Sequence, residues 1–198
     1  MASRPGVKCV AHTIELKIQR INGRKKVPLN DNRTVEFVRE GAKISSKRSP
    51  AKREGILNRA EDWRLIVDVG KKLVIPADVV TTTLRPDIVI MSVSRRTVIL
   101  AELTVPWEDR IEEAHEMKAS KYGELVDNIK QNGWQVHYFP VEVGSRGYPG
   151  KSLSVMYSSL GFSNRECRKI CKSVGASAEE SSRWLWLRRE EPWKRGND

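Results

Sequence analysis

Two acidic residues, Asp87 and Glu102, each lie in an apolar run that predicts a β-strand. The runs span 86–91 and 97–105, and both are rich in β-branched and aliphatic residues. The polar Ser94-Arg95 between them predicts a turn. A turn of two or four residues centred there places Asp87 directly opposite Glu102. We therefore predict two carboxylates on one face of a hairpin.

Opposed carboxylates predict a cation between them. Directly opposed residues of an antiparallel pair have Cβ atoms about 4.5–5.5 Å apart, and like charges at that distance destabilise the sheet. Two carboxylates with a nearby backbone carbonyl form the hard oxygen site that suits Mg²⁺ or Mn²⁺. Two alternatives stay open: one carboxylate pairs with Arg or Lys instead, or a three-residue turn shifts the register and separates the acids.

A helical pattern follows between Glu108 and Asn132, where apolar residues recur at intervals of three and four. Lys118 lies on the apolar stripe of this predicted helix, and Lys121 lies at its edge. Lysines at such positions commonly extend to water. The alternative is that both ammonium groups extend over the sheet toward the carboxylate pair.

The other segments predict a mixed α/β sheet flanked by helices, because strands are expected on both sides of a crossover helix. Two serines, each followed three residues later by glutamate, predict the starts of two C-terminal helices. The short periodic piece within residues 1–35 is not assigned to an element. The predicted elements are strands at 62–69 and 135–143, an apolar stretch at 73–76, a loop at 144–150, and capping boxes at Ser163 with Glu166 and Ser177 with Glu180.

Positive charge is concentrated near the N-terminus. The 198-residue chain has a net charge of +11, and residues 1–60 hold 15 Lys or Arg against 5 Asp or Glu. A basic segment attracts polyanions, so we predict that the partner is DNA. A solvated surface without a partner is the alternative. The candidate nucleic-acid contacts are Arg24, Lys25, Lys26, Lys47, Arg48, Lys52, Arg53 and Arg85.

The length suits one domain with an appended arm. We predict a basic arm at 1–53, a folded domain at 54–193 and a tail at 194–198. The residues do not fix the oligomeric state, and a homodimer is one alternative. No apolar stretch approaches the roughly 20 residues of a membrane span, so we expect a soluble protein without a membrane partner. Lysine-rich stretches favour a nuclear location.

Cysteine, histidine and tryptophan carry weaker signals. The three cysteines are odd in number and lack the spacing of a zinc site, which favours a reducing compartment. The three histidines, His12, His115 and His137, show no mutual spacing, and we expect them to be structural or exposed. Trp184 and Trp186 lie between basic residues, where they either stack on bases or pack in part into the core.

Taken together, the basic arm, Pro86-Asp87, Glu102-x-Thr104 and the Lys118–Tyr122 segment resemble the PD-(D/E)xK restriction-like nucleases. Over about residues 34–193 the chain resembles, more narrowly, the endonuclease-like domain of animal transposon-derived open reading frames. That domain is similar to the C-terminal endonuclease of site-specific non-LTR retrotransposons. The strings that carry the resemblance are Asp62-Trp63, Arg85-Pro86-Asp87, Glu102-Leu103-Thr104-Val105-Pro106-Trp107-Glu108, Lys118-x-x-Lys121-Tyr122, Pro140-Val141-Glu142-Val143-Gly144 and Arg183-Trp184-Leu185-Trp186.

The resemblance implies a restriction-endonuclease-like αβββαβ core with C-terminal helices, a divalent-metal site and hydrolysis of DNA phosphodiester bonds. It also implies that Asp87, Glu102 and the Leu103 carbonyl hold Mg²⁺ or Mn²⁺. A further acidic residue before the metal strands often assists such sites. Glu54 and Asp68 are the two candidates here.

Thr104 departs from the family pattern, because it stands where the motif places its lysine. In similar proteins of the retrotransposon branch that lysine lies on the following helix. The resemblance therefore implies that Lys118, Lys121 or both take its place here. The expected activity is a Mg²⁺-dependent DNA endonuclease. Two alternatives stay open: a catalytically inactive nucleic-acid-binding module of the same fold, and a protein-interaction scaffold that uses the tryptophan-rich C-terminal helix.

Overall fold

The computed structural model describes residues 5–23, 55–68 and 73–190. These residues form an α/β fold with an open, mixed sheet of four strands. The strands are β1 (Arg64–Val67), β2 (Ile88–Ser92), β3 (Thr97–Thr104) and β4 (Gln135–Glu142), and the helices are α1 (Pro5–Asn22), α2 (Ile111–Gln131), α3 (Lys151–Leu160) and α4 (Asn164–Leu187). Short 3-10 helices at Ile56–Arg59 and Glu108–Arg110 precede β1 and α2.

The sheet has the strand order β1-β2-β3-β4. The first three strands are antiparallel neighbours, and β4 runs parallel to β3. A parallel pair requires a crossover connection, and α2 supplies it. The elements through β4 therefore follow the order αβββαβ, and α3 and α4 come after them.

The β2–β3 register agrees with the predicted one. A four-residue turn at 93–96 joins the strands, and Ile88 lies opposite Ala101. One further step along this ladder brings Asp87 opposite Glu102. A three-residue turn would have moved one acid to the other face of the sheet. That alternative is wrong, because the turn has four residues.

Side chains alternate between two apolar layers. Ile88, Ile90, Ile99 and Ala101 pack with α1, α3 and α4, whereas Val89, Met91, Val98 and Leu100 pack with α2. Because alternate residues of a strand share a face, Asp87 and Glu102 lie on the α2 side of the sheet. The largest buried side chains of α2 on that side are Tyr122, Leu125 and Ile129.

Helix α1 occupies part of the segment that the sequence left unassigned. One face of this helix is buried in the same apolar layer as α3 and α4, so residues 5–22 of the predicted arm pack with the core. The buried residues are Val7, Val10, Ala11, Ile14, Ile18 and Ile21. Their spacing of three and four is typical of an amphipathic helix.

Two C-terminal predictions have different outcomes. The capping box at Ser163 and Glu166 is confirmed, because the Ser163 side chain accepts from the Glu166 N–H and the Glu166 carboxylate accepts from the Ser163 N–H. The second box is wrong, since Ser177 lies inside α4. Buried Val174 and Ala178 keep that helix on the core across the serine.

Other differences concern local segments. The apolar stretch at 73–76 forms no strand, although Leu73 and Ile75 are buried on the α2 side. Packing of Trp184 or Trp186 into the core is also wrong, because their exposed fractions are 45% and 59%. Within the part of the chain described, none of the helices is both long enough and apolar enough to cross a membrane.

Asp62 braces the β2–β3 turn. Its carboxylate accepts hydrogen bonds from Ser92 Oγ at 2.6 Å, from the Ser94 N–H at 2.8 Å and from Ser94 Oγ at 2.7 Å. Partial burial of the carboxyl opposes its ionisation, but these hydrogen bonds outweigh that effect and lower the pKa of Asp62 from 3.8 to about 2. Ionised Asp62 therefore stabilises the turn that sets the hairpin register.

We expect Asp62→Asn to lower the free energy of unfolding at pH 7 by about 1–2 kcal/mol. The folded-state pKa is depressed, so the stabilisation is present above pH 3.8 and is lost as the pH falls toward 2. Urea denaturation at pH 7, 4 and 3 measures this, with exposed Glu61→Gln as the control. A deficit of equal size at all three pH values would contradict the assignment.

Candidate active site

Asp87 and Glu102 meet at the end of the hairpin, and both are buried, with exposed fractions of 3% and 5%. Each carboxylate accepts a hydrogen bond from the backbone of the other strand. The Asp87 N–H donates to Glu102 Oε2 at 3.2 Å, and the Leu103 N–H donates to Asp87 Oδ2 at 2.9 Å. The two acids are therefore held in place by the hairpin itself.

Lys118 provides a positive charge at this pair. Its ammonium group donates to Glu102 Oε1 at 2.7 Å, and its side chain is only 23% exposed. Of the two predicted outcomes for this lysine, extension toward the carboxylates is therefore the correct one. The contact equally matches the alternative in which one carboxylate pairs with a lysine.

Lys121 does not reach the carboxylates in the same way. Its ammonium group lies 5.0 Å from the centre of the Tyr122 ring, which is a cation–π contact, and the residue is exposed. The two lysines therefore make different contacts: Lys118 binds Glu102, whereas Lys121 lies over the Tyr122 ring.

Two tyrosines complete the wall of the site. Tyr122 is fully buried and donates to Glu102 Oε2 at 3.0 Å, and the Tyr138 hydroxyl donates to the Lys118 carbonyl at 3.1 Å. Burial raises the pKa of Tyr122, and the charges of Glu102 and Asp87 raise it further. Burial and neighbouring acids likewise raise the pKa of Tyr138. Both phenols therefore remain neutral donors at neutral pH.

The donor set has the chemistry that a hard divalent cation requires. Asp87 and Glu102 contribute carboxylate oxygens, which Mg²⁺ and Mn²⁺ bind in preference to softer ligands. The Leu103 N–H points toward β2, whereas the Thr104 carbonyl accepts from the Val143 N–H on the other side of β3. Because a strand residue directs its N–H and C=O to the same neighbour, the Leu103 carbonyl is directed to the β2 side of β3.

Among the described residues, no third acidic residue completes a metal-binding group with this pair. The same residues hold no group of three or more His, Cys, Asp or Glu side chains placed to bind a metal ion. Asp68 lies beside Asp87 in the ladder, and its N–H donates to the Asp87 carbonyl at 2.8 Å. Its carboxylate accepts from the Leu73 N–H at 3.3 Å. The other candidate acid, Glu54, lies outside the described residues.

Thr104 lies on the Glu102 face, and in the parallel ladder it is paired with Glu142. Its hydroxyl oxygen is buried and has no hydrogen-bond partner in the described part of the chain. Arg85, the one predicted nucleic-acid contact that the structure describes, is exposed two residues before Asp87. The others, Arg24, Lys25, Lys26, Lys47, Arg48, Lys52 and Arg53, lie outside the described residues.

Sequence reasoning missed a second polar cluster, made by His115, Glu142 and Ser152. The Glu142 carboxylate is 1% exposed and is contacted by both other side chains. A signal was available, because Glu142 lies within the strand predicted at 135–143 and His115 lies three residues before Lys118. The pairing across α2 and β4 was not evident without the packing of the helix.

Comparison with known proteins finds no protein-family model that matches the chain and no curated protein that matches it significantly.

We expect Tyr122→Phe to lower the free energy of unfolding by about 1–3 kcal/mol, because it leaves a buried carboxylate without one of its donors. The hydroxyl also lies 3.1 Å from the Arg85 carbonyl oxygen, so its one proton is shared between the two acceptors. Urea denaturation measures the change, and Tyr148→Phe is the matched control, since Tyr148 is 64% exposed. Equal stability of the Tyr122→Phe variant and the unmodified protein would show that the phenol does not support Glu102.

Proposed function

We propose that the chain is a Mg²⁺-dependent DNA endonuclease of the retrotransposon type, with a restriction-endonuclease-like core. The observation that carries this proposal is the convergence of Asp87, Glu102 and Lys118 at one buried point on the α2 side of the sheet. Two acids can hold a divalent cation for phosphodiester hydrolysis, and a lysine beside them adds a fixed positive charge. The element order αβββαβ supports the finer fold assignment.

In this proposal Asp87, Glu102 and the Leu103 carbonyl hold the cation. When bound, Mg²⁺ lowers the pKa of a coordinated water and offsets charge on the scissile phosphate. The hairpin supplies pre-organisation, because its backbone N–H groups fix both carboxylates before any cation arrives. Residues that need no rearrangement on binding lose little free energy to ordering.

Lys118 has the role of a fixed positive charge. Its ammonium contacts Glu102, and its side chain stays 23% exposed, more than that of the acid it contacts. A preorganised cation that faces developing negative charge stabilises the transition state. Lys121 lies three residues further along the helix and is exposed, so in this proposal it contacts the substrate backbone rather than the reacting phosphate.

A second candidate function is that of a nucleic-acid-binding module without catalysis. Thr104 at the motif lysine position favours it, and so does the Lys118–Glu102 ion pair, which satisfies a buried carboxylate without any metal. The basic N-terminal segment would serve either function. Cleavage in the presence of Mg²⁺ or Mn²⁺ distinguishes the two.

We expect the protein to nick supercoiled plasmid in Mg²⁺ or Mn²⁺, and we expect Asp87→Asn and Glu102→Gln to abolish nicking. Lys118→Met should slow nicking by about 10²–10³-fold, because it removes one fixed charge from the transition state. Lys121→Met should change the rate far less. Conversion of supercoiled to open-circular plasmid measures each rate.

The matched controls are Glu116→Gln and Lys130→Met, two exposed residues of α2 outside the carboxylate site. Both should nick at the unmodified rate. Nicking that survives in Asp87→Asn and Glu102→Gln would exclude the proposed mechanism. DNA retention without nicking in either metal would leave the binding module as the function.

A separate prediction concerns the affinity of the basic N-terminal segment for DNA. Replacing Lys47, Arg48, Lys52 and Arg53 with Gln should weaken DNA binding and flatten its salt dependence. The slope of log K against log salt should fall by about 0.9 for each phosphate of B-form DNA that the variant no longer neutralises. Fluorescence anisotropy between 50 and 200 mM salt, about the range over which such slopes are resolved, measures it. Lys130→Gln is the control, and an unchanged slope in the fourfold variant would exclude the segment from the interface.

A further inference from the structure

A buried carboxylate fixes an imidazole of α2, the helix that carries Lys118. Glu142 ends β4 and is 1% exposed, and its Oε2 accepts from Ser152 Oγ at 2.6 Å. His115 Nδ1 lies 3.1 Å from the same oxygen and 3.2 Å from Oε1. The Glu142 N–H donates in turn to Ser152 Oγ at 3.1 Å. The carboxylate is therefore held on two sides, from α3 and from α2.

His115 and Glu142 lie on the same side of the sheet as Asp87 and Glu102. His115 and Lys118 are three residues apart on α2, and such residues have Cβ atoms about 5–6 Å apart on one helix face. Glu142 is paired with Thr104, which lies two residues after Glu102 on β3. The helix therefore presents His115 and Lys118 on one face, and the strands place their acid partners, Glu142 and Glu102, on one side of the sheet.

The arrangement sets the chemistry of the imidazole. A carboxylate accepts hydrogen bonds, so Nδ1 carries the proton in the neutral ring and Nε2 keeps a lone pair. The His115 side chain is 45% exposed, so the ring has access to solvent even though Glu142 does not. A buried acid that orients a histidine, with the second nitrogen open, is the arrangement of a general base.

We propose that His115 is the general base of the hydrolysis, with Glu142 and Ser152 as positioning residues. This inference rests on the nuclease function proposed above. Lys118 cannot serve as the base while its ammonium donates to Glu102, whereas Nε2 of His115 can accept a proton.

In the reacting complex the lone pair of Nε2 takes one proton from water as the water oxygen forms its bond to phosphorus. The phosphorus bond to the leaving nucleoside oxygen breaks with its electron pair on that oxygen, which then takes a proton from solvent. The carboxylate of Glu142 stabilises the imidazolium formed in the first step, and loss of that proton to solvent restores the neutral ring.

The test compares plasmid nicking by the unmodified protein, His115→Ala, Glu142→Gln and Asp87→Asn. We expect His115→Ala to slow nicking by about 10²-fold or more, with DNA retention unchanged. Added imidazole should restore part of the rate, and more basic substituted imidazoles should restore more. His12→Asn, at an exposed histidine of α1, is the control and should match the unmodified rate.

The outcomes separate the two proposals. Full activity of His115→Ala, or loss that imidazole does not restore, beside an inactive Asp87→Asn would overturn the role of His115 and leave the nuclease standing. Equal nicking by Asp87→Asn and the unmodified protein would overturn the nuclease. Recovery that is greatest with the least basic imidazole would mean that His115 acts as an acid, which also overturns the proposal.

A second measurement does not depend on activity. A long-range ¹⁵N correlation spectrum reports which ring nitrogen of each histidine carries the proton. We expect the neutral His115 ring to be protonated at Nδ1, and we expect Glu142→Gln to remove that preference, with His12 as the exposed reference in the same spectra. Protonation of His115 at Nε2 in the unmodified protein would overturn the arrangement.

Discussion

The burial of two carboxylates at directly opposed positions of one hairpin is the constraint on which the rest of this region depends. Asp87 and Glu102 repel each other across the β2–β3 ladder, and both are almost completely buried. An ionised group in such surroundings requires hydrogen bonds and a compensating charge. Backbone N–H groups, the Tyr122 phenol and the Lys118 ammonium meet that requirement from three directions.

Much of this arrangement follows from short-range patterns. The two apolar runs and the polar bend between them define the hairpin, and the parity of the turn determines which residues are opposed. The position of Lys118 on an apolar stripe is an exception to the usual pattern, and in this protein the exception marks a charge that has a buried partner. The main features of the site could therefore be predicted from the 36-residue hairpin-and-helix segment at 87–122.

Features that depend on long-range packing could not be predicted in the same way. Helix α1 is buried against α4 and other elements on the same side of the sheet, and no local pattern reports those contacts. Likewise, the serine at 177 matches the capping-box pattern but lies within a helix that stays on the core. Trp184 and Trp186 show the opposite error, because large apolar side chains are exposed where core packing was expected. They lie on α4 beyond Ala178, its last buried residue.

The positive charge that compensates the acids is carried by helix α2, whereas the acids are carried by the sheet. Its separation from Glu102 is determined by how closely α2 rests on the sheet, and Leu125 and Ile129 act there as a spacer against Val98 and Leu100. A methylene added or removed in that spacer would tilt the helix and change the 2.7 Å contact without altering any polar residue. The apolar packing between α2 and the sheet thus sets the distance between the Lys118 ammonium and Glu102. Substitutions there that conserve side-chain volume should preserve that distance.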